Sequence, residues 1–330
     1  MPIIPSRASS SSFSERYETL WRQTLPSCTA GTITFYGTLA VSTLVQWKIL
    51  GVSTGTLRPI PSLLGMTSVA LASVASHTAT IQVFTATAKK NHLKYGLNHH
   101  HQQQYPYWQH TLRVCTTGLI IFKLLGGRFW SISPSSFTHL GSFARPIVSS
   151  ISASNAYANT FQRQQIEVLG RRYGCHTCGS RMLFVKKLKG ACKFHADHMP
   201  PQSVVECMNK NFVRRLLNVS VKQRFYPQCI TCSNKQGGIL SKATKSIQSG
   251  NKKYTFFSWK KGPVQTLMDA GGGQEAYFHG LRFRFSHLTG FLLGALTVVD
   301  TDVKDVMGKG NEQRFKSIQD QVVTRIKTLL

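Results

Sequence analysis

Three short segments carry most of the chemistry of this chain: Cys175-His-Thr-Cys178, then Phe194-His195-Ala-Asp197-His198-Met-Pro-Pro201, then Cys229-Ile-Thr-Cys232-Ser233-Asn234. Two C-x-x-C pairs therefore enclose an Asp-His pair. Each C-x-x-C turn supplies two thiolates, and two such turns supply the four ligands of a tetrahedral zinc site. Gly174 and Gly179 flank the first pair and allow its tight turn. The spacing predicts structural zinc on Cys175, Cys178, Cys229 and Cys232.

Acidic residues are rare around Asp197. The 330 residues include 40 Lys and Arg against 12 Asp and Glu, which gives a formal net charge of +28. Between Glu18 and Asp269 the acids are Glu167, Asp197 and Glu206. Because so basic a chain repels itself unless it meets a polyanion, we expect nucleic acid as its partner. An acidic lipid surface and a ribosome-like particle are the other candidates.

The N-terminal residues and the cysteines bear on the compartment. The eight cysteines are too sparse for a secreted disulfide scaffold, which favours a reducing, intracellular environment. Residues 1–27 are polar and contain Ser and Arg, but Glu15 and Glu18 count against a mitochondrial transit peptide, because such peptides have few acids. Mitochondrial targeting and a disordered basic tail both stay open.

Two uncharged runs precede these segments. Gln23 to Trp47 and Pro59 to Ala88 are apolar but rich in Ser, Thr, Gly and Ala. Both reach the roughly 20 residues that cross a bilayer, and small residues allow close packing of helices in membranes. The runs predict either a transmembrane helical hairpin or a pair of buried helices in a soluble domain.

The zinc-type segment resembles the HNH endonuclease family. The cores of that family run C-x-x-C, then Asp-His with a small hydrophobic residue and a proline, then C-x-x-C. The matching residues are Asp197-His198-Met199-Pro200 between the two cysteine pairs, and the match covers about residues 171–240. The resemblance implies a treble-clef ββα-metal fold within an α+β protein.

The resemblance also implies a chemistry. His198 would be the general base that deprotonates water, since its pKa lies near neutrality. Asp197 would bind a catalytic Mg²⁺ or Mn²⁺ through a hard oxygen. The family has a second metal ligand directly after the last cysteine, where this chain has Ser233. The resemblance therefore assigns that role to Asn234, one position further on.

Two nearby residues complete the hypothesis. His195 is a further metal ligand or phosphate contact, and strand alternation would place it on the face of Asp197, opposite His198, unless Pro200 bends the chain. The position that orients the base in the family is closest to Gln223. The leading hypothesis is a metal-dependent nuclease that cuts DNA or RNA. Its alternatives are a non-catalytic zinc module that binds nucleic acid or holds an assembly at a membrane, and a membrane protein with purely structural zinc.

The full division of the chain follows from these segments. A helix-like pattern covers 156–172, directly before the first cysteine pair. Strand patterns cover 254–259 and 276–285, and an amphipathic helix pattern covers 311–330. We predict a tail at 1–27, a helical region with a candidate transmembrane hairpin at 28–130, a linker at 131–155, an HNH-like zinc module at 156–245, and an α+β C-terminal region at 246–330.

Overall fold

The computed structural model describes most of the chain and divides it into two compact units. The described residues are 11–56, 59–92, 107–153, 157–181, 194–209, 215–218, 220–248 and 282–306. The first unit comprises residues 1–38, 69–126 and 284–330, and the second comprises residues 39–68 and 127–283.

Helices dominate, and one small sheet accompanies them. The helices are α1 Ser11–Lys48, α2 Pro59–His92, α3 Tyr107–Leu124, α4 Thr160–Tyr173, α5 Gln202–Asn209, α6 Ile230–Gln248 and α7 Thr289–Val306. Short 3₁₀ helices cover Phe129–Ile132 and Phe285–Leu288. The strands are β1 Ile151–Ser152, β2 Phe194–Met199 and β3 Arg224–Cys229, in an antiparallel sheet of order β1-β3-β2.

The first unit packs its helices through small residues. Ser76 on α2 donates a hydrogen bond to the carbonyl oxygen of Gly31 on α1 at 2.8 Å. A Cβ at Gly118 of α3 would collide with the hydroxyl of Ser73 on α2. Glycine, serine and threonine at such contacts let helix backbones approach closely.

Both uncharged runs of the sequence lie in long helices. The segments Thr24–Lys48 and Pro59–Thr87 span 25 and 29 residues, each with a mean hydropathy of 1.3. By length and composition both are sufficient to cross a membrane. Several of their large apolar side chains point outward, among them Ile33, which is 71% exposed, and Leu71, which is 66% exposed.

The core of the second unit lies between α4, the sheet and the start of α6. Phe194 on β2, Phe225 on β3, Ile166 on α4 and Ile239 on α6 are buried together with the four paired cysteines. Gly170 of α4 lies against the ring of Phe194, where a Cβ would collide with it. The helix predicted over 156–172 is present from Thr160 on, and residues 157–159 precede it. Asn159 caps α4, its side chain accepting from the backbone N–H of Gln162 at 2.8 Å.

Pro227 lies in the central strand, a position that proline normally avoids because it cannot donate to the ladder. Strand β1 pairs only with Phe225 and Arg224 and has ended before Pro227. The carbonyl oxygen of Pro227 accepts from the backbone N–H of His176 at 2.9 Å. The backbone N and O of one strand residue point to the same side of the strand. Because the carbonyl oxygen of Pro227 points away from β2, its missing N–H removes no hydrogen bond to β2. The first cysteine turn packs against that side of β3, beyond the end of β1.

Other predictions fall partly or wholly outside the described residues. The strand at 254–259 and the helix at 311–330 lie outside them, as does most of the strand at 276–285; its described end, residues 282–285, contains no strand because a 3₁₀ helix begins at Phe285. The serine-rich segment interpreted as a linker is irregular, but Ser135, Ser136 and Phe137 in it are fully buried. The domain boundaries themselves stay predictions.

Candidate metal centre

The first cysteine pair sits on a turn between α4 and the strand β2. Gly174 and Gly179, which flank the pair, have φ of 82° and 72°, in the left-handed region that favours glycine. The backbone N–H of Cys175 donates to the carbonyl oxygen of Ser180 at 2.8 Å, and that of Gly179 donates to the carbonyl oxygen of Cys175 at 2.7 Å. The predicted role of both glycines is therefore confirmed.

The second cysteine pair joins a strand to a helix. Cys229 is the last residue of β3, and Cys232 lies in the first turn of α6, which begins at Ile230. Both side chains are buried, as are those of the first pair. The antiparallel pair β2 and β3, followed directly by α6, brings the two cysteine pairs together.

The four thiols form a cluster of the size that a zinc ion requires. All four Sγ atoms lie within 4.8 Å of one another, and those of Cys178 and Cys229 are 3.7 Å apart. A tetrahedron with Zn–S bonds of about 2.3 Å has edges of about 3.8 Å. Among the described residues this is the one group of three or more His, Cys, Asp or Glu side chains arranged to hold a metal.

The pKa values of the four cysteine thiols are shifted by burial and by their contacts with one another. Burial raises the pKa of Cys175 well above its ordinary value, and hydrogen bonding with Cys175 raises the pKa of Cys232. The same contact with Cys175 lowers the pKa of Cys178 and of Cys229. A bound divalent metal would stabilise all four as thiolates.

Asp197 is bound by the histidine of the first cysteine turn. The backbone N–H of Gly141 donates to His176 Nδ1 at 3.3 Å, so the imidazole proton resides on Nε2. That Nε2–H donates to Asp197 Oδ2 at 3.0 Å. The side chain of His176 is 1% exposed and that of Asp197 is 13% exposed.

The other oxygen of Asp197 is bound by helix α6. Gln236 Nε2 donates to Asp197 Oδ1 at 3.1 Å. Gln228 on β3 donates in turn to Gln236 Oε1 and, at 3.1 Å, to Thr177 Oγ1. We call His176, Thr177, Asp197, Gln228 and Gln236 the polar ring; it joins the first cysteine turn to β2, β3 and α6.

The remaining predicted site residues do not converge on Asp197. His198 lies on the opposite face of β2, 9% exposed, with its ring 4.4 Å from that of Phe225 between centroids. His195 shares the face of Asp197 and lies 3.1 Å from the Ser233 hydroxyl through Nδ1. Asn234 is exposed on α6. The split of His195 and Asp197 from His198 is the alternation expected of a strand.

Four of the five residues of the polar ring had no role assigned from the sequence, and His176 and Gln236, which bind Asp197 directly, are the most informative of them. His176 lies inside the first C-x-x-C pair, and Gln236 lies one helical turn beyond Cys232 on the same buried face of α6. Gln223, the position nearest to that of the orienting residue in the family, donates instead to the carbonyl oxygen of Pro200 at 2.8 Å. A histidine next to metal-binding cysteines was the signal available for His176.

The described surface of the second unit is strongly basic. Its acids are Glu167, which pairs with Arg171, Asp197 in the polar ring, and the exposed Glu206. Its exposed cations are more numerous and include Lys48, Arg145, Arg163, Arg171, Arg172, Arg181, Arg215, Lys222 and Lys235. The described part of this unit therefore carries a large excess of positive charge.

Comparison with known proteins gives no relative. No protein-family model, no curated protein and no solved structure matches the chain.

Proposed function

We propose that the protein is a membrane-anchored, zinc-stapled module that binds nucleic acid without cutting it. The zinc holds the fold, the basic surface binds the phosphate backbone, and α1 and α2 anchor the chain in a bilayer. Within this proposal the module has the HNH-like treble-clef fold, a mitochondrial address stays a prediction from residues 1–27 alone, and Mg²⁺ or Mn²⁺ plays no part.

The engagement of Asp197 carries the proposal of a non-catalytic site. Both carboxylate oxygens accept hydrogen bonds from buried partners, His176 and Gln236. A catalytic divalent cation needs hard oxygen ligands that face an open coordination position. Asp197 instead accepts hydrogen bonds from the first cysteine turn and from α6, and so stabilises the packing of these two elements.

The charge of the second unit supports nucleic acid as the ligand. Its described cations greatly outnumber its acids, and the whole chain carries +28. Lys and Arg that neutralise phosphates release condensed counterions, so binding of this kind weakens steeply with salt. Such contacts bind the backbone and read no sequence.

The membrane anchor rests on composition and packing together. Thr24–Lys48 and Pro59–Thr87 are long and apolar, and their contacts use serine, threonine and glycine. In lipid, small residues pack helices closely while large apolar residues face outward. The outward-facing Ile33 and Leu71 fit that distribution.

Binding and cleavage by the full zinc-loaded chain in lipid nanodiscs test the proposal. Labelled single-stranded and double-stranded DNA and RNA are titrated at several salt concentrations, with and without Mg²⁺ or Mn²⁺. We expect binding whose log affinity falls linearly with log salt, and intact nucleic acid. Absence of binding, or binding insensitive to salt, contradicts the proposal.

The second candidate is the metal-dependent nuclease, and one observation favours it. Asp197-His198 lies on β2 within the order β2, β3, α6, with Cys229 and Cys232 at the junction of β3 and α6. In that case His198 is the base, Asp197 binds Mg²⁺ or Mn²⁺, and Asn234 or His195 completes the site. Cleavage that disappears in His198→Ala while zinc is retained would establish this function in place of the first.

A further inference from the structure

We infer that α3 is a third membrane crossing, which places the α1–α2 loop and the segment after α3 on the same side of the bilayer. The inference rests on the proposed membrane anchor and extends it. The apolar character of α1 and α2 alone predicts a two-helix hairpin. The contacts of the loop between them are incompatible with two crossings.

The decisive contacts join residues on either side of α3 in the chain. The backbone N–H of Thr54, in the α1–α2 loop, donates to the carbonyl oxygen of Pro134 at 2.9 Å. The backbone N–H of Ser136 donates to Thr54 Oγ1 at 2.9 Å. A third bond involves the C-terminal end of α1, where Ser133 Oγ donates to Gln46 Oε1 at 2.5 Å.

Two residues lie on the same side of a bilayer only if the chain crosses it an even number of times between them. If α1 and α2 cross and nothing else does, residue 54 and residue 134 lie on opposite sides of the bilayer. A bond of 2.9 Å between them then cannot form. One more crossing between Ala88 and Ser133 restores the contact, and the helix that the structure describes there is α3.

The length and direction of α3 suit a crossing. Its 18 residues extend about 27 Å at 1.5 Å per residue, close to the roughly 30 Å hydrocarbon core. His110 near its start lies beside His77 of α2, with ring centroids 4.8 Å apart. Gly118 further along meets Ser73, which is earlier in α2. Helix α3 therefore runs antiparallel to α2, as a return crossing requires.

The surface of α3 suits lipid. Trp108, Leu112, Ile120 and Leu124 recur every four or eight residues along one stripe and are 55–79% exposed. The opposite side, with Val114, Gly118 and Phe122, is buried. Arg113, Thr116 and Lys123 are exposed on the same side. Apart from these three residues the outward stripe carries large apolar side chains, whereas the outward face of a helix on a soluble domain is mainly polar.

Two cations explain why hydropathy alone does not identify α3. Arg113 and Lys123 lower its mean hydropathy below that of α1 and α2. Long basic side chains reach the interface while their apolar stems stay in lipid. Lys123 lies in the last turn of the helix, where that reach is short.

Protease accessibility in sealed vesicles tests the topology. The full chain carries two inserted recognition sites for one specific protease, after His100 and after Ser220. With α3 across the bilayer, every chain in an intact vesicle is cut at one site alone, whichever way it is inserted, and at both sites after permeabilisation. Chains cut at both sites in intact vesicles, while resisting extraction by alkaline carbonate, would overturn the inference and leave the membrane anchor standing.

Carbonate extraction distinguishes failure of the membrane anchor from failure of the third crossing. Release of the uncut chain by carbonate would remove the membrane anchor and the topology with it. A second variant, Gly55→Cys with Ser136→Cys, tests the contact directly, because these positions adjoin in the structure. We expect a disulfide that keeps the two halves together after cleavage at residue 100, and no such link in Gly55→Cys alone; failure of the double variant to cross-link in the membrane-inserted chain contradicts the inference.

Discussion

Asp197 is a carboxylate in surroundings that exclude most water, and such a group is costly unless it is hydrogen-bonded. Its two donors come from different elements, His176 from the first cysteine turn and Gln236 from α6. The bonds to a charged acceptor are stronger than bonds between neutral groups. The side chain therefore stabilises the junction of these elements.

Gln236→Ala tests that role. The substitution removes the donor to Asp197 Oδ1 and one of the two acceptors of Gln228 Nε2, which keeps Thr177 Oγ1. We expect the free energy of unfolding to fall by about 1–3 kcal/mol. The matched control is Asn234→Ala on the same helix, where the exposed side chain predicts a change within about 0.5 kcal/mol. Urea unfolding of the zinc-loaded chain measures both; equal effects would mean that the polar ring contributes nothing.

At this scale the sequence predicts the metal ligands better than the partners of Asp197. The four cysteines follow from C-x-x-C spacing, because each pair lies on a single turn. His176 and Gln236 meet Asp197 only because β2 pairs with β3 in a register that sets Asp197 opposite Tyr226. That register is a long-range property, which no local motif encodes.

The first cysteine turn depends on its glycines as an element. Gly179 has a φ of 72°, and a Cβ there would also collide with the ring of Phe143. The strain of left-handed backbone at a residue with a Cβ costs about 1–2 kcal/mol before that collision is counted. Two backbone hydrogen bonds of the turn, from Cys175 N–H to Ser180 O and from Gly179 N–H to Cys175 O, depend on this conformation.

We predict that Gly179→Ala lowers the free energy of unfolding by about 2 kcal/mol or more and weakens zinc retention against a chelator. Gly237→Ala in α6 is the control, since no atom lies within 4 Å of the added Cβ. Alanine is favoured over glycine inside a helix, so this variant is expected to be stabilised by up to about 1 kcal/mol. Similar losses in both variants would contradict the account of the turn.

Elements were predictable where their signals are local. Helix α4 follows from its apolar pattern, and strand β2 shows the alternation that separates His195 and Asp197 from His198. Pro227 argues against a central strand, yet β3 is one, because β1 ends before it. Helix α3 lies within the region 28–130 that the sequence predicts to be helical, but its bounds were not predictable because Lys123 interrupts the short apolar run Leu119–Phe122.

At the scale of the whole molecule, charge is the property most directly linked to a partner. Arg215 and Lys222 are exposed, and each would neutralise one phosphate in contact with nucleic acid. We predict that the double variant Arg215→Glu, Lys222→Glu weakens binding on the order of tenfold and makes the salt dependence shallower. Glu206→Gln, which removes an exposed acid, should bind at least as well as the wild type; unchanged affinity in the double variant would exclude this surface.

The arrangement of the chain into units could be predicted only in part. The two uncharged runs predict α1 and α2, because a long uninterrupted apolar stretch gives a high mean hydropathy over a sliding window. The contact of residues 129–136 with the α1–α2 loop could not be predicted from the sequence, since it joins segments about eighty residues apart. One of its bonds is between backbone groups and the others use common Ser, Thr and Gln side chains, so no local motif marks it.

The zinc content of the purified chain is the decisive measurement for the four-cysteine metal site. We expect one zinc per chain in the wild type and in Asn234→Ala, because Asn234 is exposed and is not one of the four clustered cysteines. Cys178→Ser should lose the ion and the cooperative unfolding of the module, because structural zinc sites contribute folding energy outright. A folded wild-type chain without zinc, or full zinc retention in Cys178→Ser, would contradict this expectation.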